Sequence, residues 1–185
     1  MDKEIIIKAC RDKEFYAFGT TRIFEKRAKS LQFFRTWITF LGIVTPVIVG
    51  SAVLAFGIET KALPYFLSVA GIVGIFQLVL STWSIVARWD EKYSYSIEAV
   101  KDNTDLYNKF KKLADRQQDD FEKVYLELEQ QNSDRELKDI AQNISDKEKR
   151  YAYHESLKYY KKECHICGKV PQTSKPSKCD GCGNY

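Results

Sequence analysis

Residues 36–58 and 62–87 carry no charged side chain, and only Glu59, Thr60 and Lys61 separate them. The first stretch is 23 residues long and the second 26. At a rise of about 1.5 Å per residue, each is long enough as a helix to cross a hydrocarbon layer of roughly 30 Å. A core helix of a soluble protein interrupts its apolar face with charge every few residues. Neither stretch does so. The pattern predicts an apolar helical hairpin that spans a membrane and joins a charged, water-soluble remainder.

Within the hairpin the small and polar residues recur at helical spacing. In the first stretch Thr39, Gly42, Pro46, Gly50, Val53 and Gly57 share a face, and small faces let membrane helices approach closely. Pro46 near the middle predicts a kink. In the second, Ala70, Gly74, Gln77, Ser81, Ser84 and Arg88 form a small-to-polar stripe opposite Leu67, Ile72, Ile75, Phe76, Val79, Leu80 and Val86. Gln77 is the only amide in either stretch. Two readings of it stand side by side: a single interhelical hydrogen bond, or part of a pore-lining stripe in an oligomer.

The flanks read as helical. Residues 1–35 predict helix with one interruption at Gly19-Thr20-Thr21, where a threonine offers an N-cap. After the hairpin, Trp89, Tyr93, Ile97 and Val100 continue the period of the second span, and Asn103 or Thr104 caps a further helix with Leu106, Phe110 and Leu113. Phe121, Val124 and Leu128 mark another. Ser133-x-x-Glu136 and Ser145-x-x-Glu148 have the form of capping boxes that start two more. Such faces must pack on the membrane stem, the N-terminal helix or another subunit. No strand pattern and no repeat occurs. The expected fold is therefore an all-α membrane protein in four parts: N-terminal cytoplasmic helices (1–35), hairpin (36–87), cytoplasmic helical region (88–163) and a cysteine-rich tail (164–185).

Charge adds orientation. All 54 formal charges lie outside the two apolar stretches. Arg22, Lys26, Arg27, Lys29 and Arg35 precede the first, and Arg88, Lys92 and Lys101 follow the second. The connecting turn offers only Lys61, beside Glu59. Lys and Arg accumulate on the cytoplasmic side, so both termini are expected there. The net charge of +4 is modest; it suits attraction to anionic lipid and argues little for nucleic acid.

Four of the five cysteines form two C-x-x-C pairs, Cys164/Cys167 and Cys179/Cys182, with eleven residues between them. In a reducing cytoplasm such pairs bind metal more readily than they form disulfides. Four thiolates predict tetrahedral Zn2+ with no open position, a structural centre. His165 lies inside the first pair as an exposed passenger, and His154 is expected to pack or face solvent. Cys10 reads as a small buried residue. Lys169, Lys175 and Lys178 make the tail basic, as a solvated loop or a contact for phosphate or nucleic acid.

The order of parts, with Cys164, Cys167, Cys179 and Cys182 at these spacings, resembles the SLATT proteins. These are two-transmembrane effectors found beside nucleotide-signalling genes in bacterial defence islands. The tail is similar to that of the mobilome CxxCx(11)CxxC subset. The resemblance implies a pore-forming effector of the bacterial inner membrane, a homo-oligomer with a tetramer favoured, that depolarises the infected cell and causes growth arrest or death. It also implies gating by a nucleotide or oligonucleotide from a partner nucleotidyltransferase, which opens some such effectors and holds others, such as the Hailong type, closed. Lys26, Arg27 and Lys29 are the expected phosphate contacts. The competing reading is a membrane-anchored zinc-knuckle adaptor that recruits protein or nucleic acid. An enzyme is not expected: no nucleophile–base pair, phosphate loop or open metal site is recognisable.

Overall fold

The computed structural model describes residues 3–57, 61, 63–116 and 120–185. Five helices follow in order: α1 (Lys3–Phe56), α2 (Leu63–Val86), α3 (Trp89–Asp115), α4 (Phe121–Ile140) and α5 (Asp146–Tyr160). No strand occurs among the described residues. Two compact units result. One combines Met1–Arg27 with Ser96–Tyr185, and the other is Ala28–Tyr95.

The first unit is a helical body built on heptad-like seams. Along α3, Ser96, Ala99, Asn103, Leu106, Phe110 and Leu113 are buried; along α4, Phe121, Tyr125, Leu128, Asn132, Arg135 and Asp139 are. Alternating steps of three and four keep one face of each helix against its neighbours. The partner of both is the N-terminal part of α1, which inserts Ile6, Cys10 and Ala17 into the same core. Phe24 and Phe110 are fully buried, and burying a phenylalanine contributes about 1.5–3 kcal/mol. Of the surfaces expected to receive the faces of α3 and α4, the N-terminal helix is one that they pack on. Toward one end the seam turns polar. Arg135, 4 % exposed, binds Asp139 at 2.7 Å, Asp102 at 3.0 Å and Glu98 at 3.3 Å.

Three sequence expectations fail here, each for a packing reason. α1 runs unbroken through Gly19-Thr20-Thr21. A β-carbon at Gly19 would lie 2.8 Å from Ser156 Oγ and 3.2 Å from the Ala152 carbonyl oxygen. Gly19 therefore marks the close approach of α5, not a break. Thr20 and Thr21 donate their hydroxyls to the carbonyls of Tyr16 and Ala17 within the helix. Asn103 caps nothing: it lies inside α3, with its amide donating to the Ala99 carbonyl and to Asp139, both at 3.0 Å. Ser133 and Glu136 lie inside α4. The box at Ser145 is real. Glu148 N–H donates to Ser145 Oγ, the Glu148 carboxylate accepts from Ser145 N–H, and α5 starts there.

The second unit is the apolar hairpin. α1 continues through Pro46, and α2 ends at a tight turn in which Arg88 takes a left-handed φ of 53°. That turn separates α2 from α3, where the sequence period alone predicts continuation. The predicted inter-span turn lies outside the described residues, apart from Lys61. At the base of the hairpin Arg35 pairs with Asp90 at 2.8 Å and stacks over the Tyr93 ring. Phe34 packs on Trp89, and Phe33, Trp37 and Phe40 continue the aromatic run.

Candidate functional site

The cysteine tail begins where α5 ends. Lys161 takes a left-handed φ of 52° and turns the chain, and its N–H and that of Lys162 return to the Leu157 carbonyl. Each C-x-x-C pair then closes a tight turn: Gly168 N–H donates to the Cys164 carbonyl and Gly183 N–H to the Cys179 carbonyl, both at 2.8 Å. Glycine is required at both closures. Gly168 has φ +65°, a region that L side chains rarely adopt. A β-carbon at Gly183 would fall 2.1 Å from the Ser177 carbonyl oxygen.

These turns bring the four thiols together. Their sulfur atoms all lie within 4.8 Å of one another, with Cys164–Cys179 at 3.9 Å and Cys167–Cys182 at 3.8 Å. Tetrahedral metal–sulfur bonds of about 2.3 Å require sulfur–sulfur edges of about 3.8 Å, so the thiols fit such an ion. Cys164 and Cys182 are buried and the other two are half-buried. The turns supply N–H groups to Cys179. Gly181 N–H reaches its sulfur at 3.4 Å, and backbone N–H groups of Cys182 and Gly181 pull its pKa down to about 7. Burial pushes Cys182 up to about 12. A bound cation offsets that burial by holding the thiolate.

The knuckle is docked on the helical body through a residue that the sequence left without a role. His154 of α5 is 2 % exposed. Its Nδ1 sits 2.7 Å from the Cys182 carbonyl oxygen and its Nε2 2.7 Å from that of Thr173. Phe15, Tyr153, Leu157 and Tyr160 complete the seat, and Tyr185 packs edge-on against His154 and Tyr151. The only sequence signal for this clamp is a histidine three turns before the first cysteine. His165 is exposed, and its ring pairs with the Tyr153 hydroxyl at 2.7 Å. Lys169, Lys175 and Lys178 are exposed. Cys10 is fully buried, and burial pushes its thiol up to about 11.

In the hairpin, Ala70, Gly74, Gln77, Ser81 and Ser84 are half-buried, while Arg88 is exposed and pairs with Glu91 at 3.5 Å. Gln77 turns toward α1. Its amide N–H₂ lies 3.5 Å from the Ile38 carbonyl oxygen, and a β-carbon at Gly42 would sit 2.6 Å from that nitrogen. The half-buried positions of α1 include Ile38, Leu41, Gly42, Thr45, Val49, Ala52 and Val53. Only Gly42 and Val53 of the predicted small-residue face are among them; Thr39, Pro46, Gly50 and Gly57 point outward. Larger aliphatic side chains thus fill most of that face.

The three basic phosphate candidates are not equivalent. Arg27 holds Glu148 in a two-pronged pair at 2.6 and 2.8 Å and donates to the carbonyls of Gln142 and Asn143. Lys26 stacks over the Tyr151 ring at 4.3 Å. Lys29 is exposed.

No curated protein and no solved structure matches this chain. A family model, that of the mobilome CxxCx(11)CxxC proteins, matches residues 7–185, and its defining feature is the cysteine spacing that builds the metal-binding geometry above. The chain belongs to the mobilome CxxCx(11)CxxC protein family.

Proposed function

We propose that this chain is a pore-forming effector of the bacterial inner membrane, acting in an anti-phage system that signals through nucleotides. Copies of the hairpin assemble, with a tetramer as the preferred arrangement, and the assembly leaks ions until the infected cell depolarises and stops growing. The observation that carries this reading is the distribution of exposure on the hairpin. Trp37, Ile43, Val47, Ile72, Leu78, Trp83 and Ile85 all lie between 48 and 79 % exposed, whereas Gln77, Ser81 and Ser84 of α2 are half-buried. A soluble surface rarely keeps so large an apolar belt; hydrocarbon and neighbouring hairpins cover it. The Lys and Arg distribution supports an orientation with both termini in the cytoplasm.

A single hairpin encloses no path. Conduction requires the stripe from Ala70 to Ser84 to turn from α1 toward the stripes of other copies, with Arg88 at the cytoplasmic mouth. The 3.5 Å contact of Gln77 with Ile38 is weak enough to exchange. The helical body, with Zn2+ closing its knuckle as a structural ion, is the control region. A nucleotide from a partner nucleotidyltransferase gates the pore by binding open and closed forms unequally. Arg27 is engaged by Glu148, so Lys29 is the phosphate contact that needs no rearrangement. The test is purified full-length protein in liposomes: ion flux above background supports the reading, and inserted, oligomeric protein without flux sinks it.

One observation favours a second reading, a membrane-anchored adaptor. Gln77 already finds an acceptor inside its own hairpin. Exchange of the hairpin for an unrelated one separates the two, because an anchor role survives the exchange and a pore does not.

A further inference from the structure

Among the described residues, one non-glycine residue with a left-handed backbone joins two helices directly, and it is Arg88. The others with positive φ, Asn143, Lys161 and Asn184, lie in a longer connection or in the tail. α2 ends at Val86 and α3 begins at Trp89. Nothing in the local sequence asks for a break, because residues 77–95 contain no glycine, proline or asparagine. A φ of 53° is unfavourable for arginine, whose β-carbon crowds the next carbonyl there. Such a residue persists only where its surroundings impose it.

The bend also opens the helical ladder. Arg88 N–H reaches back to the Ile85 carbonyl at 3.1 Å, and Lys92 N–H resumes the ladder on the Arg88 carbonyl at 3.0 Å. A continuous helix closes bonds from Asp90 N–H to the Val86 carbonyl and from Glu91 N–H to the Ala87 carbonyl; across this turn neither is made. Three contacts offset these losses by fixing the first two turns of α3 on α1. Phe34 packs on Trp89 with ring centres 5.5 Å apart. Arg35 pairs with Asp90 at 2.8 Å, and its guanidinium lies 4.6 Å from the centre of the Tyr93 ring.

We infer that Arg88 is a hinge between two forms of the α2–α3 junction. In the bent form Arg35 latches α3 to α1. When the latch opens, Arg88 turns right-handed, the open backbone bonds close, and α2 and α3 join into one helix. The hinge moves a cation. Arg88 follows Ser84 by four positions, so the continuous form sets it in line with Gln77, Ser81 and Ser84. In the bent form its side chain is 72 % exposed and pairs with Glu91 at 3.5 Å. Control of ion flow by this cation rests on the pore reading; the hinge itself does not.

Spin labels carried on genetically encoded non-natural residues in place of Ile75 and Ser94, both exposed, test it and leave the native thiols to the metal. Pulsed electron resonance is run on the metal-loaded full chain in liposomes, diluted with unlabelled protein so that only distances within one chain are read. The continuous form sets the two positions about 28 Å apart along the helix axis, and the bent form brings them closer. Wild type is expected to give mainly the shorter distance. Arg35→Ala, which removes the ion pair and the ring contact, is expected to raise the long-to-short ratio about fivefold. Asp90→Ala breaks the same pair from the other side and is expected to act in the same direction. Adding Arg88→Gly to Arg35→Ala is expected to lower the ratio about five- to thirtyfold, because glycine adopts the left-handed form readily. Circular dichroism and metal content check that the variants fold. One distance unchanged across wild type and all variants overturns the inference. So does a wild type that gives mainly the long distance, or an added Arg88→Gly that leaves the ratio where Arg35→Ala set it. Distances that switch in protein that passes no ions support the hinge and refute the pore reading alone.

Discussion

Neutralising Glu148 by substitution to Gln isolates one ion pair in the helical body. The variant keeps the capping box, since glutamine serves at that position as well as glutamate. It removes the charge that Arg27 holds at 2.6 and 2.8 Å. That guanidinium, aided by Ser145, pulls the Glu148 carboxyl from 4.5 down to about 2. A depression of that size corresponds to about 3 kcal/mol at most. Arg27 and Glu148 are 25 and 26 % exposed, so water and salt screen the pair, and about 1–2 kcal/mol is the expected contribution. Hydrogen exchange of the α5 amides, measured on wild type and variant side by side, reads it out. Protection should fall about five- to thirtyfold at pH 7 in the variant. The sign with pH is fixed. The folded value lies below the unfolded one, so the stabilisation is full above pH 4.5 and is lost as pH falls toward 2. Wild type and variant should therefore converge over that window. A difference that persists at pH 2, or none at pH 7, refutes the ion-pair account and frees Arg27 for another role.

Other substitutions probe the remaining parts. Gly183→Ala forces a β-carbon against the Ser177 carbonyl and should lower bound metal below one ion per chain by mass spectrometry; full occupancy would contradict the knuckle geometry. His154→Ala removes the ring that sits 2.7 Å from the carbonyl oxygens of Cys182 and Thr173 and should cost about 2 kcal/mol, seen as faster metal loss to a chelator with the four thiols intact. Arg135→Ala takes the guanidinium away from the carboxylate of Asp139, 5 % exposed, and should destabilise the body by about 3–5 kcal/mol in denaturant titration; Arg135→Ala with Asp139→Ala should recover part of that loss. Gln77→Leu should change hairpin stability by less than about 1 kcal/mol yet reduce ion flux strongly, and unchanged flux would remove Gln77 from the path.

The parts legible in the sequence were those set by local or near-local spacing. The charge-free stretches gave α2 and the apolar half of α1. Ser145-x-x-Glu148 gave the start of α5, and the paired C-x-x-C gave a cluster of four thiols. What the sequence hid depends on partners far along the chain. Gly19 reads as a breaker until Ser156 is placed beside it, because a glycine needed for close approach and one needed for a turn look alike. Ser133-x-x-Glu136 has the same pattern as the true box, but its helix had already begun at Phe121. Asn103 reads as a cap until Asp139, on another helix, supplies its partner. Arg27 and Glu148 are separated by 121 positions, and no local pattern joins them. The His154 clamp was hidden for the same reason: both of its ring contacts are with backbone carbonyls, which leave no mark on the residue types.

The central claim is that assembled hairpins conduct. Purified full-length protein, reconstituted in liposomes of anionic lipid and shown to be inserted and oligomeric, should pass ions well above protein-free vesicles, and Gln77→Leu should bring that flux down. Flux at the protein-free level from inserted, oligomeric wild-type protein would contradict the account and leave the hairpin as an anchor.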